Sequence, residues 1–253
     1  MLDCVPWSEP PHGRNQRLSQ LPATAWREVA TEELIGLLND VEHKYAPPTL
    51  FVAGDLALLH HGARVAIVGS RQATPEGCAR ARKLASRLCD QGIVVVSGLA
   101  RGIDTAAHQA ALDGGGRTLA VLGTPLDQVY PKANAVLQER IMREHLCVTQ
   151  FPLGAPVQRK HFPMRNRTMA LLSDATVIME ATDRSGSLTQ GWEALRLGRE
   201  LFIARAVADD PSLSWPAKMR YYGGQVLSDE TLEGFLDGLP QRTEADRRGV
   251  LPF

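Results

Sequence analysis

The sequence has no excess of charge of either sign, because 28 Lys and Arg residues balance 28 Asp and Glu residues. No field of the whole molecule therefore attracts it to nucleic acid or to an anionic membrane, and any polyanion has to be bound by a local patch. Aliphatic runs are no longer than residues 93–96, far below the roughly 18 residues that span a bilayer. Asp3 and Pro6 stand where a signal peptide would be apolar, so we expect a cytoplasmic protein with no membrane partner.

Metal and nucleotide motifs are also missing. The four cysteines form no CxxC pair and have no nearby histidine at ligand spacing, which argues against a zinc site and a disulfide framework. Neither GxGxxG nor GxxxxGK[ST] occurs, which disfavours dinucleotide and P-loop triphosphate sites. We therefore expect no metal and no cofactor.

From residue 64 onward, short aliphatic runs alternate with longer amphipathic stretches. The runs predict strands at residues 65–68, 93–96, 118–122, 146–149, 176–179 and 201–204. The intervening stretches predict helices at residues 75–91, 103–113, 134–144, 165–172 and 188–197. Near-continuous aliphatic strands alternating with helices indicate an α/β fold, a doubly wound, mainly parallel sheet with helices on both faces.

Composition divides the chain into three segments. Residues 1–44 begin with many prolines and few aliphatic residues, so we expect a loose N-terminal arm that includes a short helix over residues 31–42. Residues 45–240 form the main domain, opening with a proline turn at 45–49, a short extended piece at 50–52 and a helical turn at 55–60. Residues 241–253 form a short tail.

The loops that follow the predicted strands are small and rich in hydrogen-bond donors. Glycine and serine at a strand-to-helix junction let backbone N–H groups approach an anion, and the next helix adds a favourable dipole. Each loop alone is equally explained as a tight turn, but several at one sheet edge favour a phosphate site. The candidate phosphate-binding residues in these loops are Gly69, Ser70, Arg71, Ser97, Gly98, Arg101, Ser185, Gly186 and Ser187.

A basic segment follows the fourth predicted strand of the main domain. Cations together with an aromatic ring are typical of proteins that bind single strands, because the cations neutralise phosphates and a base stacks on the ring. The alternative is a solvated basic loop with its ring in the core. The candidate DNA-binding residues of this segment are Arg159, Lys160, Phe162, Arg165, Asn166 and Arg167, with Arg165 and Asn166 opening the next helix.

Asp104 and His108 lie on one face of the second predicted helix of this domain. We expect Asp104 to cap that helix, while Arg101 pairs with Asp104 or binds phosphate. No serine or cysteine nucleophile is placed to use an Asp–His pair, so we expect His108 to make a buried structural hydrogen bond.

Taken together, the loops resemble the DprA/Smf family of DNA-processing proteins. The family motifs VGSR, SGLARGID, AH, AVLG, LD, YP, FPxRNR, EA, SGSL and GR recur in order across residues 45–204. They stand at residues 68–71, 97–104, 107–108, 120–123, 126–127, 130–131, 162–167, 180–181, 185–188 and 198–199.

The resemblance implies an extended Rossmann-like domain that binds single-stranded DNA and helps to load a RecA-type recombinase during transformation or recombination. It implies that Gly69, Ser70, Arg71, Arg159 and Lys160 hold DNA phosphates, that Phe162 contacts a base, and that the domain forms homodimers. The implied protein is a non-catalytic DNA-binding protein. No winged-helix extension is expected after the domain.

The chain departs from the family pattern at several places, among them Thr124 and Pro125 and the loop at residues 189–193. These departures keep an alternative open. The related LOG phosphoribohydrolases cleave the base of a nucleotide from its ribose phosphate, and they use an Arg and a Glu that this sequence also has at similar positions. In that alternative, Arg165 and Glu193 are the catalytic residues and the protein binds or hydrolyses nucleoside monophosphates.

Overall fold

The structure is a computed structural model that describes residues 26–60 and 62–240. Its strands are β1 (Arg27–Ala30), β2 (Thr49–Gly54), β3 (Arg64–Gly69), β4 (Val94–Ser97), β5 (Thr118–Leu122), β6 (Leu146–Thr149), β7 (Ala175–Glu180), β8 (Glu200–Ala204) and β9 (Gln225–Leu227). Its α-helices are α1 (Thr31–Ile35), α2 (Asp40–His43), α3 (Pro75–Asp90), α4 (Ile103–Asp113), α5 (Ala135–Glu144), α6 (His161–Leu171), α7 (Ser187–Arg196), α8 (Arg205–Ala208), α9 (Trp215–Tyr221) and α10 (Leu232–Gly238). Single 3₁₀ turns cover Leu56–Leu59 and Lys132–Asn134.

These strands form one sheet in the order β1-β2-β6-β5-β4-β3-β7-β8-β9. Neighbours from β6 to β9 are parallel, whereas β2 runs antiparallel to β1 and β6. The chain proceeds from β3 outward to β6 and then returns to β7 on the other side of β3. The strand order therefore reverses between β3 and β7, which is the place where ligands bind in open α/β sheets.

Helices cover both faces of the sheet, and alternate strand residues pack against them. Val65 and Ile67 of β3 belong to the same buried cluster as Leu88 of α3. Val68, on the opposite face, belongs to the cluster of Met169 of α6. The predicted α/β fold with a doubly wound, mainly parallel sheet is confirmed.

The structure differs from the expected loose arm at that segment's C-terminal end. Arg27–Ala30 forms β1, which pairs with β2 and extends the sheet. The helix expected over residues 31–42 is two short helices, because Gly36 adopts a φ of 86° after α1 and Asn39 caps a new helix. The boundaries at residues 44 and 240 stay predictions, and residues 1–25 and 241–253 lie outside the described part of the chain.

Helix α6 begins at His161, whereas the sequence predicted a start at residue 165. Pro163 is compatible with this earlier start, since a proline in the first turn of a helix removes an N–H that has no partner there. Phe162 therefore lies in a helix rather than in a loop. The sequence also predicted no elements after residue 204, where the structure has α8, α9, β9 and α10. Among the described residues, no helix is both long and apolar enough to cross a bilayer.

Candidate nucleic-acid interface

The predicted loops meet at the carboxyl ends of the parallel strands. The loops after β3, β4, β5 and β7 converge there with the first turns of α6, and we call this region the strand-end crevice. The strand pairing of β7 with β3, of β3 with β4 and of β4 with β5 brings these loops side by side. Residues distant in sequence thus surround one concave edge of the sheet.

Arg71 and Phe162 form the exposed centre of the crevice. The Arg71 guanidinium lies over the Phe162 ring, 5.2 Å from its centroid, and Tyr130 packs against the same ring at 5.2 Å. Phe162 is half-buried and lies so close to Gly123 that a Cβ on that glycine would come within 2.7 Å of the ring. The backbone at the end of β5 therefore supports one side of the ring, next to an exposed cation.

Arg165 lies beneath this pair and is 5% exposed. Its guanidinium donates hydrogen bonds to the carbonyl oxygens of Gly98 (2.5 Å) and Val121 (2.8 Å) and to the Asn166 side chain (3.0 Å). Burial lowers the pKa of Arg165 to about 10, although Asp104 opposes this effect. A Cβ at Gly98 would collide with the guanidinium, so this glycine makes room for it. Arg165 ties the ends of β4 and β5 to α6.

Asp104 is buried under the same loops and does not cap α4. Its carboxylate accepts a hydrogen bond from the backbone N–H of Ala100, upstream of the helix, at 3.2 Å. Burial raises the pKa of Asp104, and the charges of Arg165 and Arg71 partly oppose that shift. Among the described residues, no ion pair joins Asp104 to Arg101, which is exposed. The capping expectation was wrong because the loop folds back over the carboxylate.

His108 makes the structural hydrogen bond that the sequence predicted. Its Nδ1 lies 2.7 Å from the Thr118 hydroxyl, which itself donates to the Val95 carbonyl. Burial lowers the pKa of His108 to about 3, so the imidazole is neutral in the folded protein at physiological pH.

The first two loops of the crevice are locked against each other by unusual backbone geometry. Gly102 has a φ of 74°, and a Cβ there would collide with the Ser70 carbonyl oxygen. Leu99 is fully buried with a φ of 57°, which is rare for a residue with a side chain. The Asn134 amide donates to the Leu99 carbonyl at 2.8 Å. Sequence reasoning missed Asn134, since its place just before α5 signals only a helix start.

Several predicted phosphate ligands have structural contacts within the loops, and their role as ligands stays a prediction. The hydroxyl of Ser97 is fully buried and donates to the Ile67 carbonyl at 2.7 Å, so it is not directed at a ligand. Gly69 makes close contact with α4, because a Cβ there would come within 2.5 Å of Ile103. The hydroxyls of Ser70 and Ser185 accept hydrogen bonds from nearby backbone N–H groups of their own loops.

The loop after β7 is joined to α6 through its backbone. The Asn166 amide donates to the Gly186 carbonyl at 3.0 Å. Ser187 begins α7, and its buried hydroxyl has no hydrogen-bond partner among the described residues. Because this oxygen is buried, the Ser187 hydroxyl does not face solvent, whereas the Ser70 hydroxyl accepts one hydrogen bond and keeps its own proton to donate.

Glu180, at the end of β7, holds the loop after β3 in place. Its carboxylate accepts hydrogen bonds from the backbone N–H (2.9 Å) and the hydroxyl (2.5 Å) of Thr74, which caps α3. Sequence reasoning noticed Glu180 as part of a family motif without assigning it this role. The carboxylate fixes the loop that carries Arg71.

The basic segment is divided between surface and core. Arg159 and Lys160 are exposed immediately before α6, and their role as phosphate ligands stays a prediction. Arg167 lies on a different face of α6 from Arg165, since residues two apart on a helix point about 200° apart. Its guanidinium donates to Glu193 at 2.9 Å.

The structure does not bring Arg165 and Glu193 together as the hydrolase alternative requires. Glu193 is 8% exposed and pairs with Arg167 and with Arg196, at 2.9 and 2.6 Å. It occupies the packed surface between α6 and α7 and not the crevice. Within residues 26–60 and 62–240, no cluster of three or more His, Cys, Asp or Glu residues is arranged to hold a metal ion.

Comparison with known proteins identifies the family. The family model described as DNA recombination-mediator protein A matches residues 33–226. The chain belongs to this family. It is 35% identical over 199 residues to the DNA processing protein DprA of Bacillus subtilis, covering 78% of this chain and 66% of that protein. It is 46% identical over 157 residues to DprA of Streptococcus pneumoniae, covering 62% and 55% of the two proteins. The DprA/Smf resemblance is thereby confirmed.

Solved structures agree with this assignment. DprA of S. pneumoniae superimposes with a TM-score of 0.73 at 35% identity, covering 85% of this chain and 75% of that one. DprA of Helicobacter pylori superimposes with a TM-score of 0.71 at 27% identity, covering 84% and 94%. That structure is described as giving insight into a unique single-stranded DNA binding mode. This DprA/Smf protein matches 66% or less of the curated relatives' lengths, so the activity of the whole relatives is not transferred to it.

Proposed function

We propose that the protein binds single-stranded DNA in the strand-end crevice with little sequence preference. The observation that carries the proposal is the Arg71 guanidinium over the half-buried Phe162 ring, in the centre of a crevice formed by short backbone-rich loops. A guanidinium over a half-buried ring suits one nucleotide, because the cation neutralises a phosphate and a base stacks on an aromatic ring or on a guanidinium plane. The single-strand binding described for the H. pylori relative supports the same function here.

The cations are divided by role in this proposal. Arg71, Arg101, Arg159 and Lys160 are exposed and neutralise phosphates, while buried Arg165 holds the loops in position. The Ser70 hydroxyl and the first N–H groups of α7 supply uncharged donors. Because the molecule has no net charge, binding depends on these local cations and weakens as salt increases, with a slope of about −0.7 per phosphate neutralised.

Fluorescence anisotropy with labelled oligonucleotides tests the proposal. We expect Phe162→Ala to weaken binding about ten-fold or more, and Arg71→Ala to weaken binding and reduce the salt slope by about one phosphate. Tyr221→Ala and Arg82→Ala are matched controls, since both side chains are exposed on helices away from the crevice. Equal affinity for duplex, or unchanged binding by both crevice variants, would overturn the proposal.

We also propose, from the family's description as a recombination mediator, that the bound strand is delivered to a RecA-type recombinase. The same family membership supports a homodimer that acts in the cytoplasm during transformation or recombination. Light scattering after size exclusion tests the dimer. Recombinase filament formation on strands precoated with single-strand-binding protein tests the delivery, which Phe162→Ala should weaken together with DNA binding.

A further inference from the structure

A second cavity lies on the other side of α6 from the crevice. It is an open groove of about 830 Å³ that runs between β1, β2, residues 44–49 and the loop after β6. Its lining is largely aromatic and apolar, and we define the aromatic groove by Trp26, Tyr45, Phe51, Leu153 and Met164. Tyr45 is 43% exposed, so part of its side chain is accessible at the edge of the groove. The proposed function of the crevice does not use it.

The aromatic groove is adjacent to the crevice through the first turn of α6. Phe162 faces the crevice and Met164, two residues later, lines the groove. The N-terminus of α6 lies between them, held in place by the His161 ring, which stacks on Phe151 with centroids 3.9 Å apart. A helix is about 10–12 Å wide, a distance that about three nucleotides span at the stacked spacing of about 3.4 Å.

The surface between the crevice and the groove favours a polyanion. Residues 150–167 contain no acidic residue, and of their four Lys and Arg residues Arg159 and Lys160 are exposed, Arg165 is buried and Arg167 pairs with Glu193. At the edge of the groove, the Tyr45 ring is surrounded by cations, with Arg196 at 4.3 Å and Lys44 and Arg167 each at 5.4 Å from its centroid. Glu193 neutralises part of this charge, and Glu28 is the acidic residue of the lining.

The groove has few groups that would read the edges of a base. The Gln150 side-chain oxygen already accepts a hydrogen bond from Thr168 at 2.6 Å. Phe51 is packed against Trp26, with ring centroids 6.1 Å apart, which fixes the indole at the groove wall. Rings with little hydrogen-bonding capacity suit stacking of any base.

We propose that single-stranded DNA leaving the crevice passes around the N-terminus of α6 and places a base in the aromatic groove, against Trp26 or Tyr45. This inference rests on the proposed function of the crevice and extends its binding site. It accounts for the aromatic groove beside the crevice, the exposed cations Arg159 and Lys160 at the start of α6, and the aromatic rings in both.

Oligonucleotide length separates the two cavities. We compare oligothymidylates of about four nucleotides, which fit the crevice alone, with those of about twelve, which reach both cavities. We expect the longer strand to bind wild-type protein more tightly, and Trp26→Ala to remove about ten-fold of its affinity while leaving the shorter strand unchanged. Trp26→Phe keeps a ring and is expected to restore binding, and melting curves verify that each variant is folded.

Photocrosslinking of the unaltered protein gives an independent readout. We place 5-iododeoxyuridine at successive positions of the longer strand. We expect one position to crosslink near Phe162 and another, a few nucleotides away, to crosslink to a peptide that contains Trp26 or Tyr45. The inference would be overturned if crosslinks are restricted to the crevice and the affinity of Trp26→Ala depends on oligonucleotide length as that of the wild type does. That result would indicate that the groove binds a protein partner. Absence of binding by the shorter strand would instead refute the function proposed for the crevice.

Discussion

Substituting Arg165 tests whether this cation belongs to the scaffold or to the DNA-binding surface. Arg165→Ala removes three hydrogen bonds and leaves the carbonyl oxygens of Gly98 and Val121 buried without this donor. It also removes the main favourable charge beside buried Asp104. Removing one member of such a buried charged set costs about 3–5 kcal/mol. For a domain of this size, that lowers the melting temperature by about 6–20 °C.

The measurement is thermal and urea unfolding followed by circular dichroism. Arg167→Ala is the matched control, because it removes the same side chain from the same helix at a position that is 44% exposed and paired at the surface. We expect Arg167→Ala to lower the free energy of unfolding by at most about 1 kcal/mol. DNA affinity is then measured at a temperature at which both variants are folded.

One result would refute the assignment of Arg165 to the scaffold. If Arg165→Ala unfolds with the free energy of the wild type and yet binds oligonucleotides much more weakly, the guanidinium acts on DNA directly. The sequence interpretation of Arg165 as a phosphate ligand would then hold in place of the structural one.

Three further outcomes follow from the described contacts. His108 stays neutral in the folded protein and takes a proton below about pH 6.5 in the unfolded chain, so acid destabilises the protein through this group. Through His108, the free energy of unfolding should fall by about 1.4 kcal/mol per pH unit between about pH 6 and 4. Urea titrations measure this slope, and His108→Gln should remove the part that His108 contributes. Gly123→Ala should push the Phe162 ring aside and weaken oligonucleotide binding about five-fold. Gly186→Ala is the control, because a Cβ there meets open space, and it should leave binding unchanged. Equal effects of the two variants in the anisotropy assay would contradict the role of the ring position. Glu193→Gln should lower stability by about 1–2 kcal/mol and leave DNA affinity unchanged or slightly raised, because it removes a negative charge beside Arg167 and Arg196. Chromatography should detect no base released from nucleoside monophosphates by either protein, and Glu193-dependent release would revive the hydrolase alternative.

The central fold was predictable because its strands are encoded locally. The aliphatic runs at β3 to β8 are buried on both faces, so each forms a hydrophobic segment that stands out from its neighbours. β1 was missed because only one of its four residues is apolar enough to suggest burial, and its pairing with β2 is what makes it a strand. The start of α6 was misplaced because Pro163 suggests a loop when the sequence is considered alone.

The sequence by itself determined the sheet, the loops at its carboxyl edge and the motifs of the family, since each is carried by a short run of residues. Only the tertiary structure decided how the cations are divided: Arg71 is exposed over Phe162, Arg165 is buried among carbonyl groups, and Arg167 pairs with Glu193. The physical reason is that burial and direction depend on where a helix begins and on what packs against it. Arg165 and Arg167 stand two residues apart and look alike in sequence, yet one faces a polar core and the other a helix surface.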